Sequence, residues 1–305
     1  MRLLITGATG FLGRPLCRRL LEGGHAVRVL GRDPERARSL LPGIERAYPW
    51  DARGAIPMEA FERVDAVVHL AGASIGVRMS AERKRMARES RIVGTRRLVD
   101  VMEALAARPA HFLCASATGY YGDRGDEKLD EASTPGSDFL ANLCVEWEAE
   151  ATRAEALGIR VARCRFGLVL DPGGGALDAM LPLYRFGLGG SLGSGSQWWP
   201  WIDREDLIAL LVFLVESGQA GIVNGTAPEP VRQRDFARAL GKALGRPARL
   251  PAPAFALRLA LGDSASMLLA SARVFARAAC GLGFPYRHPD IGSALEAGLR
   301  RARTP

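Results

Sequence analysis

The sequence predicts an α/β fold: a doubly wound parallel sheet with a smaller, mostly helical C-terminal part. Three observations carry this. The chain opens on an apolar run, Leu3-Leu4-Ile5, that leads into the glycine turn Thr6-Gly7-Ala8-Thr9-Gly10-Phe11-Leu12-Gly13. Short apolar runs then alternate with amphipathic stretches through the first half, the pattern of repeated βα units. After Leu170 the alternation gives way to glycine loops and closely spaced tryptophans. Right-handed crossovers between such units give parallel strands covered by helices on both faces.

In chain order, residues 2–6 read as a strand. Residues 10–22 read as a helix, with Pro15 tolerated in its first turn and Gly23-Gly24 ending it. A second strand follows at 26–30. Residues 65–70 form a buried strand, Asp-Ala-Val-Val-His-Leu, that ends in Ala71-Gly72. Residues 80–107 read as helical and 111–116 as a strand. A helix at 138–157 is closed by Gly158, and 160–165 is a further strand. The expected organisation is a nucleotide-binding unit at 1–170 and a substrate-covering part at 171–305. Residues 220–226 are expected to return to the main sheet. The tail beyond Pro247 is rich in Ala and Leu and reads as mostly helical.

Composition narrows the function classes. The chain has 305 residues, 48% of them hydrophobic, enough for a sizeable core. No apolar run approaches the ~20 residues of a membrane span, and no leader segment is expected. Five cysteines are scattered without a Cys-x-x-Cys pair, which suggests reduced thiols and a cytoplasmic setting. His25, His69, His111 and His288 show no metal-ligand spacing, so no metal is expected. The net charge is +8, supplied almost entirely by arginine. The densest basic stretch, from Arg83 to Arg97, is broken by Glu82, Glu89 and apolar residues, as on a solvated helix. No nucleic-acid-binding motif accompanies it. The charge suits anionic small molecules instead.

The glycine turn is the sharpest functional signal. A strand, then Gly7, Gly10 and Gly13, then a helix lets a dinucleotide's pyrophosphate approach backbone amides at a helix N-terminus. Gly7, Thr9, Gly10, Phe11, Leu12 and Gly13 are therefore candidate cofactor-binding residues. The second strand ends Val29-Leu30-Gly31-Arg32, where an acidic residue would bind a ribose 2′-hydroxyl. Arg32 offers a fork of donors to a 2′-phosphate, so the expected cofactor is NADP(H). A charge-assisted contact of this kind contributes roughly 1.5–3 kcal/mol. Asp33 is expected to point outward or cap the next turn.

Several segments together resemble the extended short-chain dehydrogenase/reductase superfamily and its Rossmann domain. They are the glycine turn, residues 65–72, Gly94-Thr95, Ser116-Ala117-Thr118-Gly119-Tyr120-Tyr121-Gly122, and Trp201-Ile202-Asp203-Arg204-Glu205-Asp206. More narrowly, Phe139…Trp147-Glu148, Gly173-Gly174-Gly175-Ala176-Leu177 and the loop from Gly187 to Gly195 resemble the atypical branch called nucleoside-diphosphate-sugar epimerase-like. That branch carries its own C-terminal helical domain. The resemblance covers nearly the whole chain, but a fold-level name does not settle a reaction. It implies that the backbone of Leu70, Ala71 and Gly72 passes against the cofactor. It also implies that Arg91 reaches the cofactor's phosphates or supports the fifth strand, and that Val169 meets the nicotinamide end.

Catalytic members of that superfamily use a Ser or Thr with a Tyr-x-x-x-Lys pair, in which the lysine lowers the tyrosine pKa from ~10. Here Ser116 stands at the end of its strand, but no Tyr-x-x-x-Lys occurs anywhere. Counting back eight from Glu148 places Leu140 and Cys144 in the two slots. Three readings stay open. Another group serves as acid and base: Tyr121 or Tyr120, with Glu146 or Asp138 as helix-borne carboxylates. Or the protein binds NADP(H) as a sensor or scaffold. Or Gly189-Gly190-Ser191-Leu192-Gly193 is a nucleophile elbow, which needs a strand before it and a helix after. Ser116 and Tyr121 are the catalytic candidates, for chemistry at a carbonyl or alcohol carbon of an unidentified small molecule. Gln197, Trp198, Trp199 and Trp201 are expected either to face that substrate or to join the two parts of the chain.

Overall fold

Seven parallel strands form the main sheet of the computed structural model, in which residues 1–75 and 79–301 are described. They are β1 (Arg2–Thr6), β2 (Ala26–Gly31), β3 (Arg46–Pro49), β4 (Ala66–His69), β5 (His111–Ala117), β6 (Arg160–Phe166) and β7 (Gly221–Gly225). Their order across the sheet is β7-β6-β5-β4-β1-β2-β3. The order reverses between β1 and β4, and their carboxyl ends, Thr6 and His69, are register partners. Such a reversal opens a crevice beyond the strand ends, which is where α/β sheets bind ligands.

Alternation of side chains across a strand divides the core into two layers. Leu3, Ile5, Val27, Val29 and Val68 face one side, where Leu16 and Leu20 of the helix Gly13–Glu22 and Leu207 to Val215 of the helix Arg204–Ser217 cover them. Leu4, Leu30, Val67 and Phe112 face the other, against Phe61, Leu98, Leu143 and Trp147. Strands buried on both faces read as continuous apolar runs, which is why they show clearly in the sequence. The C-terminal part has a core of its own, built on Leu177, Leu181, Trp199, Trp201, Phe236 and Leu295.

Two departures matter for the site. The helical stretch around residues 80–107 is not one helix. Ala81–Arg88 and Gly94–Ala104 are joined by a π-helical turn, Glu89–Val93, which carries Arg91. Turns of this kind are frequent at functional sites. The tail is not helical throughout: Arg273–Val274 pairs with Lys128–Leu129 and ties the C-terminal part to the loop after β5. Arg301, at the end of the last helix, donates to Asp171 and Asp203 and fastens that helix beside the sheet. No helix among the described residues is long and apolar enough to cross a membrane.

Candidate functional site

A cleft of about 1060 Å³ lies beyond the carboxyl ends of the strands, between the main sheet and the C-terminal part. The glycine turn forms one end of it. Gly7 has φ of +71°, and a Cβ there would stand 2.8 Å from the Leu70 carbonyl and the Ala71 nitrogen. A Cβ on Gly13 would stand 2.1 Å from the Gly7 carbonyl oxygen. The protein's own packing therefore requires both glycines. Gly10 is exposed, and a Cβ there would meet only the Gly7 oxygen, at 3.1 Å. Thr9 is exposed beside it, while Phe11 and Leu12 line the cleft. At the start of the helix Gly13–Glu22 the Arg14 and Leu16 amides donate to the Gly10 and Leu12 carbonyls, both at 3.1 Å, and Pro15 has no N–H.

A buried pair holds the next segment against this turn. The Thr6 hydroxyl lies 2.6 Å from His69 Nδ1 and accepts from the Ala71 amide at 3.1 Å. Burial keeps His69 neutral, with its pKa lowered to about 3. The pair fixes the path of Leu70, Ala71 and Gly72; Leu70 and Gly72 line the cleft. Arg91 lines it too. Its Nη1 donates to the Ala73 carbonyl at 2.9 Å, and its guanidinium lies 5.2 Å from the Trp147 ring centre. Burial lowers its pKa to about 10, and no carboxylate among the described residues pairs with it. A cation in that state favours an anion beside it.

At the end of β2, a Cβ on Gly31 would meet nothing closer than Val29 Cγ1, at 3.9 Å. The protein's packing gives no reason for a glycine here, and the space lies open. Arg32 is exposed next to it, and no hydrogen bond or ion pair among the described residues engages it. Asp33 caps the helix Pro34–Leu40 by accepting from the Arg36 amide at 2.9 Å. Its carboxylate is thus held by the following turn, as expected of it.

The carboxyl end of β5 carries Ser116, buried and lining the cleft. Its Oγ donates to Glu148 Oε1 at 2.6 Å. Arg165 clamps that carboxylate with two bonds, Nε to Oε1 and Nη2 to Oε2, both 2.8 Å. Arg165 Nη1 donates to the Tyr121 hydroxyl at 3.0 Å, and that hydroxyl donates to Asn224 Oδ1 at 2.7 Å. Asn224 Nδ2 ends the chain of bonds at the Phe275 carbonyl. This network corrects the reading of Tyr121 as a proton donor in the cleft. Tyr121 is fully buried, its hydroxyl is engaged on two sides, and burial pushes its pKa up to about 12. Tyr120 lies with its ring under the Arg165 guanidinium, 3.4 Å from centre to carbon. Leu140 and Cys144 do line the cleft, at the slots where the tyrosine and lysine are missing. Burial raises the Cys144 thiol to about 12, so it is no ready base.

The other candidates separate. Val169 lines the cleft beside Gly167 and Leu168, and pairs with Ile202. Trp198 and Trp199 border the cleft, but Trp199 is also buried with Trp201 in the C-terminal core, where Trp201 Nε1 bonds to the Glu229 carbonyl. Gln197 is also turned inward. Its Nε2 donates to the Leu192 and Leu268 carbonyls, both at 3.0 Å, so it braces loops instead of orienting a substrate. Glu146 is engaged at the surface by Arg88, and Asp138 caps the helix Phe139–Thr152. The Gly189–Gly193 run has neither a strand before it nor a helix after it, which removes the nucleophile-elbow reading. Among the described residues, no group of three or more His, Cys, Asp or Glu side chains is placed to hold a metal.

Glu148, Arg165, Thr6 and His69 are the contributors that pattern reading missed or used only as landmarks. A buried strand with an Arg at its end and a Glu inside a helix was the available signal.

Comparison with known proteins agrees with this architecture. Residues 3–226 match the NAD dependent epimerase/dehydratase family, and residues 252–297 match a domain of unknown function, DUF1731. A chloroplastic epimerase family protein SDR39U1 homolog of Arabidopsis thaliana is 40% identical over 300 residues, covering 97% of this chain and 86% of that protein. Epimerase family protein YfhF of Bacillus subtilis is 35% identical and matches over the full length of both chains. The crystal structure of human epimerase family protein SDR39U1, solved with NADPH, superimposes with a TM-score of 0.86 at 32% identity, covering 98% of this chain and 99% of that one. On its fold, its site and these matches, the chain belongs to the NAD dependent epimerase/dehydratase family.

Proposed function

We propose that this protein binds NADP(H) across the ends of β1, β2 and β4 and interconverts a carbonyl and an alcohol at Ser116. The observation that carries the reading is one continuous cleft lined by Phe11 and Leu12 of the glycine turn, by Arg91, and by Ser116. The solved human relative at 32% identity holds NADPH, in keeping with the unengaged Arg32 and the open space at Gly31. When bound, the nicotinamide supplies or accepts a hydride.

The chain's own part is the proton. Because Ser116 donates its one proton to Glu148, its lone pairs are left to accept a substrate hydroxyl. As the alcohol is oxidised, its proton passes to Ser116 Oγ while Ser116 passes its own to Glu148 Oε1, 2.6 Å away. One O–H bond breaks for each that forms, and carbonyl reduction runs the same path backwards. Arg165 holds the carboxylate in line throughout. This route replaces the absent Tyr-x-x-x-Lys pair.

The test is NADPH oxidation and NADP⁺ reduction over a panel of aldehydes, ketones, alcohols and nucleotide sugars. Ser116→Ala is expected to lower turnover by roughly 10²–10⁴ with NADPH affinity unchanged, the usual effect of losing an acid–base group. Unchanged turnover overturns the assignment. A second reading, an NADP(H)-binding sensor without turnover, is favoured by Leu140 and Cys144 at the two catalytic slots. Tight NADPH binding with no hydride transfer to any panel member would establish it.

A further inference from the structure

Resting on the reading above, the cleft also narrows the substrate. Its dinucleotide half runs from the glycine turn past Leu70, Gly72 and Arg91 to Ser116. The other half lies between the helix Phe139–Thr152 and the C-terminal part. It is walled by Leu140, Trp198, Trp199, Met267, Leu268 and Leu269. Among the described residues lining this half, the charged side chains are Asp123, Asp138 and Arg258. Behind the wall residue Trp198 stand Arg232 and Arg273, 4.2 and 4.5 Å from its ring centre, with Asp126 on its Nε1, so carboxylates and guanidiniums balance and no excess positive charge is offered. That disfavours a diphosphate, which would bring two negative charges into a partly desolvated space. The carboxylates are also committed: Asp123 accepts from the Ser271 amide and Asp138 from the Ala141 amide.

Arg258 belongs to the helix Ala254–Leu261, which buries none of its residues. On the same helix Phe255 is 72% and Leu259 82% exposed.

We infer that the substrate half takes an uncharged, elongated apolar ketone or alcohol, and not the nucleoside-diphosphate sugar that the family's name suggests. Apolar length fills the Trp199–Leu269 wall, while the single oxygen reaches Ser116, the polar group at its inner end.

The experiment is calorimetric titration of the NADPH-saturated protein with 2-decanone and, separately, with UDP-glucose. The expected result is that 2-decanone binds at least a hundredfold more tightly than UDP-glucose. Leu140→Glu places a charge in the wall on a half-buried helix turn and is expected to weaken the ketone tenfold or more. Its melting temperature and NADPH affinity should match the parent. Leu140→Met, a swap that keeps apolar volume, should restore ketone binding. UDP-glucose binding as tightly as the ketone overturns the inference, and so does failure of both to bind to NADPH-loaded protein. If NADPH itself does not bind, the functional proposal falls separately. The same two titrations without cofactor then decide the substrate class.

Discussion

Replacing Glu148 by Gln tests the buried network that supports Ser116. Glu148 is 7% exposed and Arg165 1%, so neither charge is relieved by water. The carboxylate accepts three bonds, one from Ser116 and two from Arg165. Gln keeps one acceptor but turns an amide N–H₂ towards the Arg165 fork. The guanidinium is left buried without a compensating charge, held by the Tyr121 hydroxyl, the Tyr120 ring and at most one amide oxygen. Removing one member of a buried ion pair typically costs 3–5 kcal/mol, far more than an exposed pair contributes. For a chain of this size that corresponds to a melting temperature lower by roughly 5–8 °C. Urea denaturation of four proteins completes the measurement: parent, Glu148→Gln, Arg165→Met, and the double variant. The double variant is expected to lose less stability than the two singles added together, by about 2 kcal/mol or more, because it leaves no unpaired buried charge. A Glu148→Gln cost under about 1 kcal/mol, or strictly additive singles, would refute the argument.

Tyr121→Phe removes a partner from both Arg165 and Asn224 and is expected to cost about 1–3 kcal/mol, read by urea denaturation. Turnover of that variant should stay within threefold of the parent; a loss of about a hundredfold would restore Tyr121 as the proton relay. His69 supplies a pH dependence. Its folded pKa, about 3, lies below the ordinary 6.5, so the unfolded chain binds a proton that the native protein refuses. Stability is therefore full above pH 6.5 and declines as pH falls towards 3, by roughly 2 kcal/mol at pH 5 from this residue. The difference in stability between pH 7.5 and pH 5 should shrink by that amount in His69→Asn, and an unchanged difference would contradict it.

What the sequence conveyed and what it concealed divide by range. The strand, glycine turn and helix at 2–22 are local, and the Gly7 and Gly13 contacts explain why that spacing cannot vary. The slots at Leu140 and Cys144 follow from the superfamily spacing that the resemblance implies, counted back from Glu148, and both residues line the cleft. The partners of Tyr121 are another matter. Arg165 lies 44 residues away and Asn224 103, so nothing beside Tyr121 announces that its hydroxyl is engaged. The same holds for Gln197, whose amide braces Leu268 across 71 residues. The tryptophans Trp198, Trp199 and Trp201 look alike in sequence. Trp198 and Trp199 are neighbours on one strand and face opposite ways, so Trp199 enters the C-terminal core with Trp201 while Trp198 stays at its edge with Nε1 on Asp126. The π-helical turn at Glu89–Val93 leaves the helical periodicity nearly intact, so residues 80–107 read as one helix.

The central claim is that the end of β2 selects NADP(H). Its most direct test is fluorescence titration of NADPH and NADH against the parent protein and Arg32→Ala. A charge-assisted contact to the 2′-phosphate contributes roughly 1.5–3 kcal/mol, so the parent should prefer NADPH by about tenfold to a hundredfold. Arg32→Ala should remove most of that preference while leaving NADH affinity unchanged. Equal affinities in the parent, or an undiminished preference in the variant, would contradict the account.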